Sequence, residues 1–126
     1  MYIVNAHVKF RAKVIKGASR GKELGFPTLN MQIPTGFDLA EGVHACWVRC
    51  DDRHFMGALH YGPAPVFDQT KPSLEVHLID IKSDLKPISL KVEIVKFIRK
   101  VELFDSPELL IEQIQKDVDK IRLCLT

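Results

Sequence analysis

The sequence predicts a mainly β protein, a closed or nearly closed antiparallel barrel followed by one C-terminal helix. Three observations point there. Apolar and polar residues alternate through most of the chain and are interrupted repeatedly by Gly, Pro and Asp turn signals. After Asp105 the apolar spacing switches to threes and fours, the period of a helix. The 126 residues suffice for one domain spanning 1–126 but could hardly cover the edges of an open sheet, which closure removes.

The elements follow in order. Phe10 to Lys16 reads as a strand and leads into a glycine-rich loop. Pro27 opens a short strand, Thr28 to Ile33, which Pro34-Thr35-Gly36 ends. Val43 to Cys50 and His54 to Tyr61 form a hairpin around Asp51-Asp52-Arg53. Gly62-Pro63-Ala64-Pro65 must be loop. Ser73 to Ile81 and Ile88 to Arg99 are the last two strands, rich in Val, Leu and Ile. Asp105-Ser106-Pro107-Glu108 is a helix start, with an Asp or Ser cap, proline in the first turn and an early acid. Leu110, Ile114, Val118, Ile121 and Leu125 then mark the buried stripe of a helix running to the chain end.

Composition narrows the function classes. The chain is 46% hydrophobic and 27% charged, ordinary for a globular domain, and no stretch reads as a membrane-spanning helix. MYIVNAHVKF lacks the order of a signal peptide, so a cytoplasmic location is expected. Cys46, Cys50 and Cys124 are an odd count without C-x-x-C, which argues against a disulfide framework. His44, Cys46, Val48 and Cys50 would share a strand face, but such a face suits core better than zinc. Net charge is only +2, yet Lys9, Arg11, Lys13, Lys16, Arg20 and Lys22 all precede the first acid, Glu23. The first three alternate with apolar residues and read as a solvated strand face; Arg20 and Lys22 lie inside the glycine loop.

Chemistry concentrates in Gly17 to Asn30, GASRGKELGFPTLN. Gly17, Gly21 and Gly25 recur every four residues around Arg20 and Lys22. Such a loop can bring backbone N–H groups against an anion, although a plain surface hairpin has the same composition. It is neither a Walker loop nor a dinucleotide fingerprint. Thr28 and Asn30 share one strand face just beyond it, a hydroxyl and an amide suited to hydrated Mg²⁺ and phosphates. Glu75 and His77 likewise share a face, opposite Leu74, Val76 and Leu78. A carboxylate there faces either solvent or a site.

Three stretches together resemble the riboflavin kinase (flavokinase) family: GxxxGxxxGFPTLN at Gly17 to Asn30, LEVHLID at Leu74 to Asp80 with YGPAPVF before it, and FIRKVELFDSPELLIEQIQKD at Phe97 to Asp117. Gly42-Val43-His44-Ala45 also fits the family's strand start. The resemblance implies a six-stranded antiparallel Greek-key barrel with a C-terminal helix. It also implies transfer of the ATP γ-phosphoryl to the terminal ribityl hydroxyl of riboflavin, giving FMN and ADP. Carried over residue by residue, it assigns Thr28 and Asn30 to Mg²⁺ and phosphate, and Gly17, Arg20, Lys22 and Gly25 to the nucleotide. It makes Glu75 the catalytic base and puts Arg99 and Phe104 beside the flavin. Departures are Leu29 for the usual Ala, His60 and Val66 where the pattern has Asn and Thr, Lys86-Pro87 for Tyr-Gly, and Lys100-Val101 after Arg99. They bear on nucleotide preference and turnover.

The same domain forms the C-terminal half of bifunctional FAD synthetases, and the resemblance covers only that kinase half. The chain is either a stand-alone kinase or one domain of a longer chain, and Met1 leading directly into an apparent strand leans towards the former. The expected partners are small molecules, with no nucleic acid, no membrane and a monomeric state. A barrel that holds flavin or nucleotide without turnover is the second reading. A nucleic-acid-binding barrel using the basic strip is the third, weakened by Trp47 being the single tryptophan.

Overall fold

The computed structural model describes residues 8–16, 25–63, 72–81 and 85–126. Six strands close into an antiparallel barrel: β1 (Val8–Ile15), β2 (Thr28–Met31), β3 (Gly42–Cys50), β4 (Arg53–Gly62), β5 (Ser73–Leu78) and β6 (Ser89–Arg99). Around the barrel the order is β1-β2-β5-β4-β3-β6. β3, β4 and β5 follow one another as neighbours while β2 returns to pair with β5, which is the Greek-key arrangement. The helix α1 spans Pro107–Leu125.

Alternation decides which side chains enter the barrel. Met31, Val48, Leu59, Leu74, Val76, Leu90 and Val92 point inward and are almost wholly buried. Their packing leaves little room at Gly57, where a Cβ would lie 2.9 Å from both Cys46 Sγ and Val76 Cγ2. The barrel is therefore filled like other small barrels, and chemistry must be sought on its outer face. Cys46 and Cys50 belong to this interior, and burial pushes the Cys46 thiol far up.

A second apolar cluster joins the barrel's outside to α1. Ala45 contributes from β3, with Met56 and Ala58 from β4 and Ile98 from β6; Ile114, Val118, Ile121 and Leu125 come from α1. Ser106 caps the helix, its hydroxyl accepting from the Leu109 N–H at 3.3 Å. The predicted strand to Ile81 ends instead at Leu78. Ile79 leaves the sheet to join the helix cluster, and Asp80 takes a left-handed φ of 63° that no strand continues. Likewise β2 stops at Met31, two residues before its predicted end at Ile33.

Candidate active site

Register brings the outward-facing residues into a row across six strands. Ile15 on β1 lies opposite Asn30 on β2, and Asn30 opposite Glu75 on β5. Glu75 in turn faces His60 on β4, His60 faces Val43 on β3, and Val43 faces Arg99 on β6. The row beneath runs from Thr28 to His77 and on to Ala58. Glu75, far from β2 in sequence, thus lies directly across from Asn30 and diagonal to Thr28 on one half-buried surface.

This surface carries polar atoms without partners. Among the described residues the buried Thr28 Oγ1 has no hydrogen-bond partner, and the His60 ring nitrogens make no well-formed hydrogen bond. Buried polar groups are normally satisfied, so these atoms have hydrogen-bonding capacity left for water, an ion or a ligand. Burial, with the nearby Arg99 cation second, pushes His60 down to about 4. The ring is therefore neutral at physiological pH. His77 is anchored differently: its Nδ1 donates to Pro27 O at 2.9 Å, and Phe26 packs edge-on at 5.4 Å. Burial lowers its pKa, with the Pro27 hydrogen bond opposing. That bond fixes the backbone just before Thr28, and Gly25, at φ 86°, supplies the left-handed bend leading into it.

Arg99 is held firmly. Its Nε donates to Asp117 Oδ1 at 2.9 Å and its Nη2 to Asp117 Oδ2 at 2.8 Å, while Gln113 Nε2 supports the same carboxylate at 3.0 Å. Its guanidinium also lies 5.8 Å from the centre of the Phe104 ring, so the structure brings those two residues together. Gly17, Arg20 and Lys22 lie outside the described residues. Among the described residues no cluster of three or more His, Cys, Asp or Glu is placed to hold a metal. Oxygen donors such as Thr28 and Asn30 remain, the set a hydrated Mg²⁺ prefers.

Two positions of the candidate site escape sequence reasoning. His60 is met there only as a departure from a pattern, whereas the register sets it beside Glu75. Asp117 carries a signal that was available: it is an acid on the helix's buried stripe, 4% exposed.

A closed, filled barrel with a polar outer-face row of hydroxyl, amide, carboxylate and imidazole defines a small β-barrel protein whose site lies outside its core. A family model, Flavokinase (riboflavin kinase), matches residues 4–125. The human riboflavin kinase is 34% identical over 122 residues, covering 89% of this chain and 77% of that protein. The chain belongs to the riboflavin kinase family. A bifunctional riboflavin kinase/FMN adenylyltransferase from Buchnera aphidicola subsp. Acyrthosiphon pisum is 34% identical over 109 residues, covering 84% of this chain. The chain spans only 35% of that protein's length. The crystal structure of a macrolide-efflux protein from Streptococcus pneumoniae superposes over 93% of this chain and 39% of its own, with a TM-score of 0.81 and 26% identity.

Proposed function

We propose that this chain phosphorylates riboflavin, moving the ATP γ-phosphoryl to the terminal ribityl hydroxyl and releasing FMN and ADP. The observation that carries the reading is the convergence of Thr28, Asn30 and Glu75, which the register makes neighbours. Phosphoryl transfer asks a protein for positioning and charge stabilisation more than for covalent chemistry.

Glu75 takes the ribityl hydroxyl's proton as that oxygen forms its bond to the γ-phosphorus and the bond to ADP breaks. Such proton transfer is worth about 10²–10⁴-fold. Thr28 Oγ1, buried and without a partner among the described residues, fits an oxygen-donor role beside the phosphates, with the Asn30 amide next to it on the same face. These two residues would hold Mg²⁺, which when bound neutralises the charge spread over the transferring phosphates. Gly17, Arg20, Lys22 and Gly25 take the nucleotide's remaining phosphate contacts. Arg99, oriented by Asp117, and the Phe104 ring line the flavin side. A barrel that merely holds flavin differs in one respect, turnover.

The test is chromatographic detection of FMN from riboflavin, ATP and Mg²⁺. FMN should appear with matching ADP, and ATP should be stable when riboflavin is omitted. Tight flavin binding without FMN, or ATP loss independent of riboflavin, would overturn the assignment.

A further inference from the structure

The far end of the barrel carries a basic face that the candidate active site does not use. The sequence places three alternating cations on β1 and reads them as a solvated strand face. The register adds to them. Arg11 on β1 lies opposite Lys91 on β6, Lys91 opposite Arg49 on β3, and Arg49 opposite His54 on β4. All four side chains are exposed. Lys9, Glu93 and Trp47 form the adjacent row. Together these residues line a groove of about 700 Å³.

Neighbouring strands stand about 4.8 Å apart, so the row presents successive cations at roughly that interval. Like charges directly opposite each other weaken a sheet. Glu93, one row away, is the single acid lining the groove among the described residues. No ion pair neutralises Arg11, Arg49 or Lys91 among the described residues. Such a row is suited to a linear polyanion. Trp47 distinguishes among polyanions. It is 36% exposed on the same face, and its indole offers a flat surface beside the cations. The indole's flat face suits a planar base more specifically than an acidic side chain, and a groove does not match a flat lipid surface. Phosphates tracked by a basic groove, with a base stacked on an aromatic ring, describe single-stranded nucleic acid.

We propose that this face binds a single strand of nucleic acid, its phosphates along Arg11, Lys91 and Arg49 and a base against Trp47. The groove is separate from the candidate active site. Along β3 it lies at Trp47 and Arg49, while the active-site row crosses at Val43, six residues and roughly 20 Å from Arg49. Helix α1 packs on Ala45 between them. The sequence expectation of no nucleic-acid partner weighed only the basic N-terminal strip and counted Trp47, as the single tryptophan, against a stacking platform; the register adds Arg49 and Lys91 and sets Trp47 on the same face.

The single tryptophan is its own reporter. Trp47 fluorescence should be quenched by oligothymidylate or oligouridylate of about eight nucleotides, within the span a small barrel occupies. The binding constant should fall with salt, with a log–log slope of about −2 to −3 for three or four neutralised phosphates. Arg49→Ala and Lys91→Ala should each make that slope shallower by about 0.7. Trp47→Leu, followed by oligonucleotide anisotropy, should lose about ten-fold or more in affinity at an unchanged slope. Comparing the two oligonucleotides tells whether the sugar is ribose or deoxyribose. FMN formation serves as the control for folding and should be unaltered by Arg49→Ala and Lys91→Ala. The proposal fails if quenching is absent at low salt, or if folded Arg49→Ala and Lys91→Ala proteins bind as tightly as the parent. It also fails if polyglutamate or phosphatidylserine vesicles bind as well as the oligonucleotides.

Discussion

Gly57 shows how tightly single residues are specified inside the barrel. A methyl group there would come within 2.9–3.0 Å of Cys46, Val48 and Val76. Gly57→Ala should therefore destabilise the protein by about 1–3 kcal/mol, the usual cost of overpacking, measured as a shift in the denaturant midpoint. On the outer face, Thr28→Ala and Asn30→Ala should leave folding and riboflavin binding intact and weaken use of Mg²⁺–ATP. Separate titrations of ATP and riboflavin check this; loss of flavin affinity with normal nucleotide use would reverse the assignment. Thr28, Asn30 and Glu75 were legible in the sequence, because period-two alternation puts Thr28 with Asn30 and Glu75 with His77. Their meeting across β2 and β5 was not legible, since register depends on how distant strands pair. His60 was missed for the same reason: only the pairing of β4 with β5 sets it beside Glu75.

At the scale of elements, the helix is tied to the barrel by a buried ion pair as well as by apolar contact. The side chains of Arg99 and Asp117 are 15% and 5% exposed, and Gln113 completes the network. Removing one partner strands the other. Asp117→Ala should cost about 3–5 kcal/mol, read by chemical denaturation. The exposed Arg122–Asp80 pair should matter far less, because water already solvates both groups. Ser106→Ala should cost about 1 kcal/mol through the lost cap. The helix start, its stripe and all six strands could be read in advance, because caps and periodicity are local signals. The early end of β5 was not read, although apolar Ile79 and acidic Asp80 break the alternation of Leu74, Val76 and Leu78: Ile79 packs in the helix cluster instead of continuing the sheet.

Across the whole molecule, His44, His60 and His77 are all held below their ordinary pKa chiefly by burial, His60 at about 4. The unfolded chain takes up these protons near the ordinary 6.5 while the fold still resists them. Stability should thus be full above that pH and fall below it; for His60 the fall continues towards pH 4, by up to about 1.4 kcal/mol per pH unit, and His44 and His77 act in the same direction. Denaturation at pH 7 and pH 5 tests this, and His60→Gln should flatten the slope. A pH-independent midpoint would mean these rings are solvated. In the proposed function the outer-face row performs phosphoryl transfer with Glu75 as its base. FMN formation by Glu75→Gln, compared with the parent at saturating riboflavin and Mg²⁺–ATP, tests it most directly. kcat should fall about 10²-fold or more while circular dichroism and flavin binding stay unchanged. Turnover close to the parent's in a folded Glu75→Gln protein would contradict it.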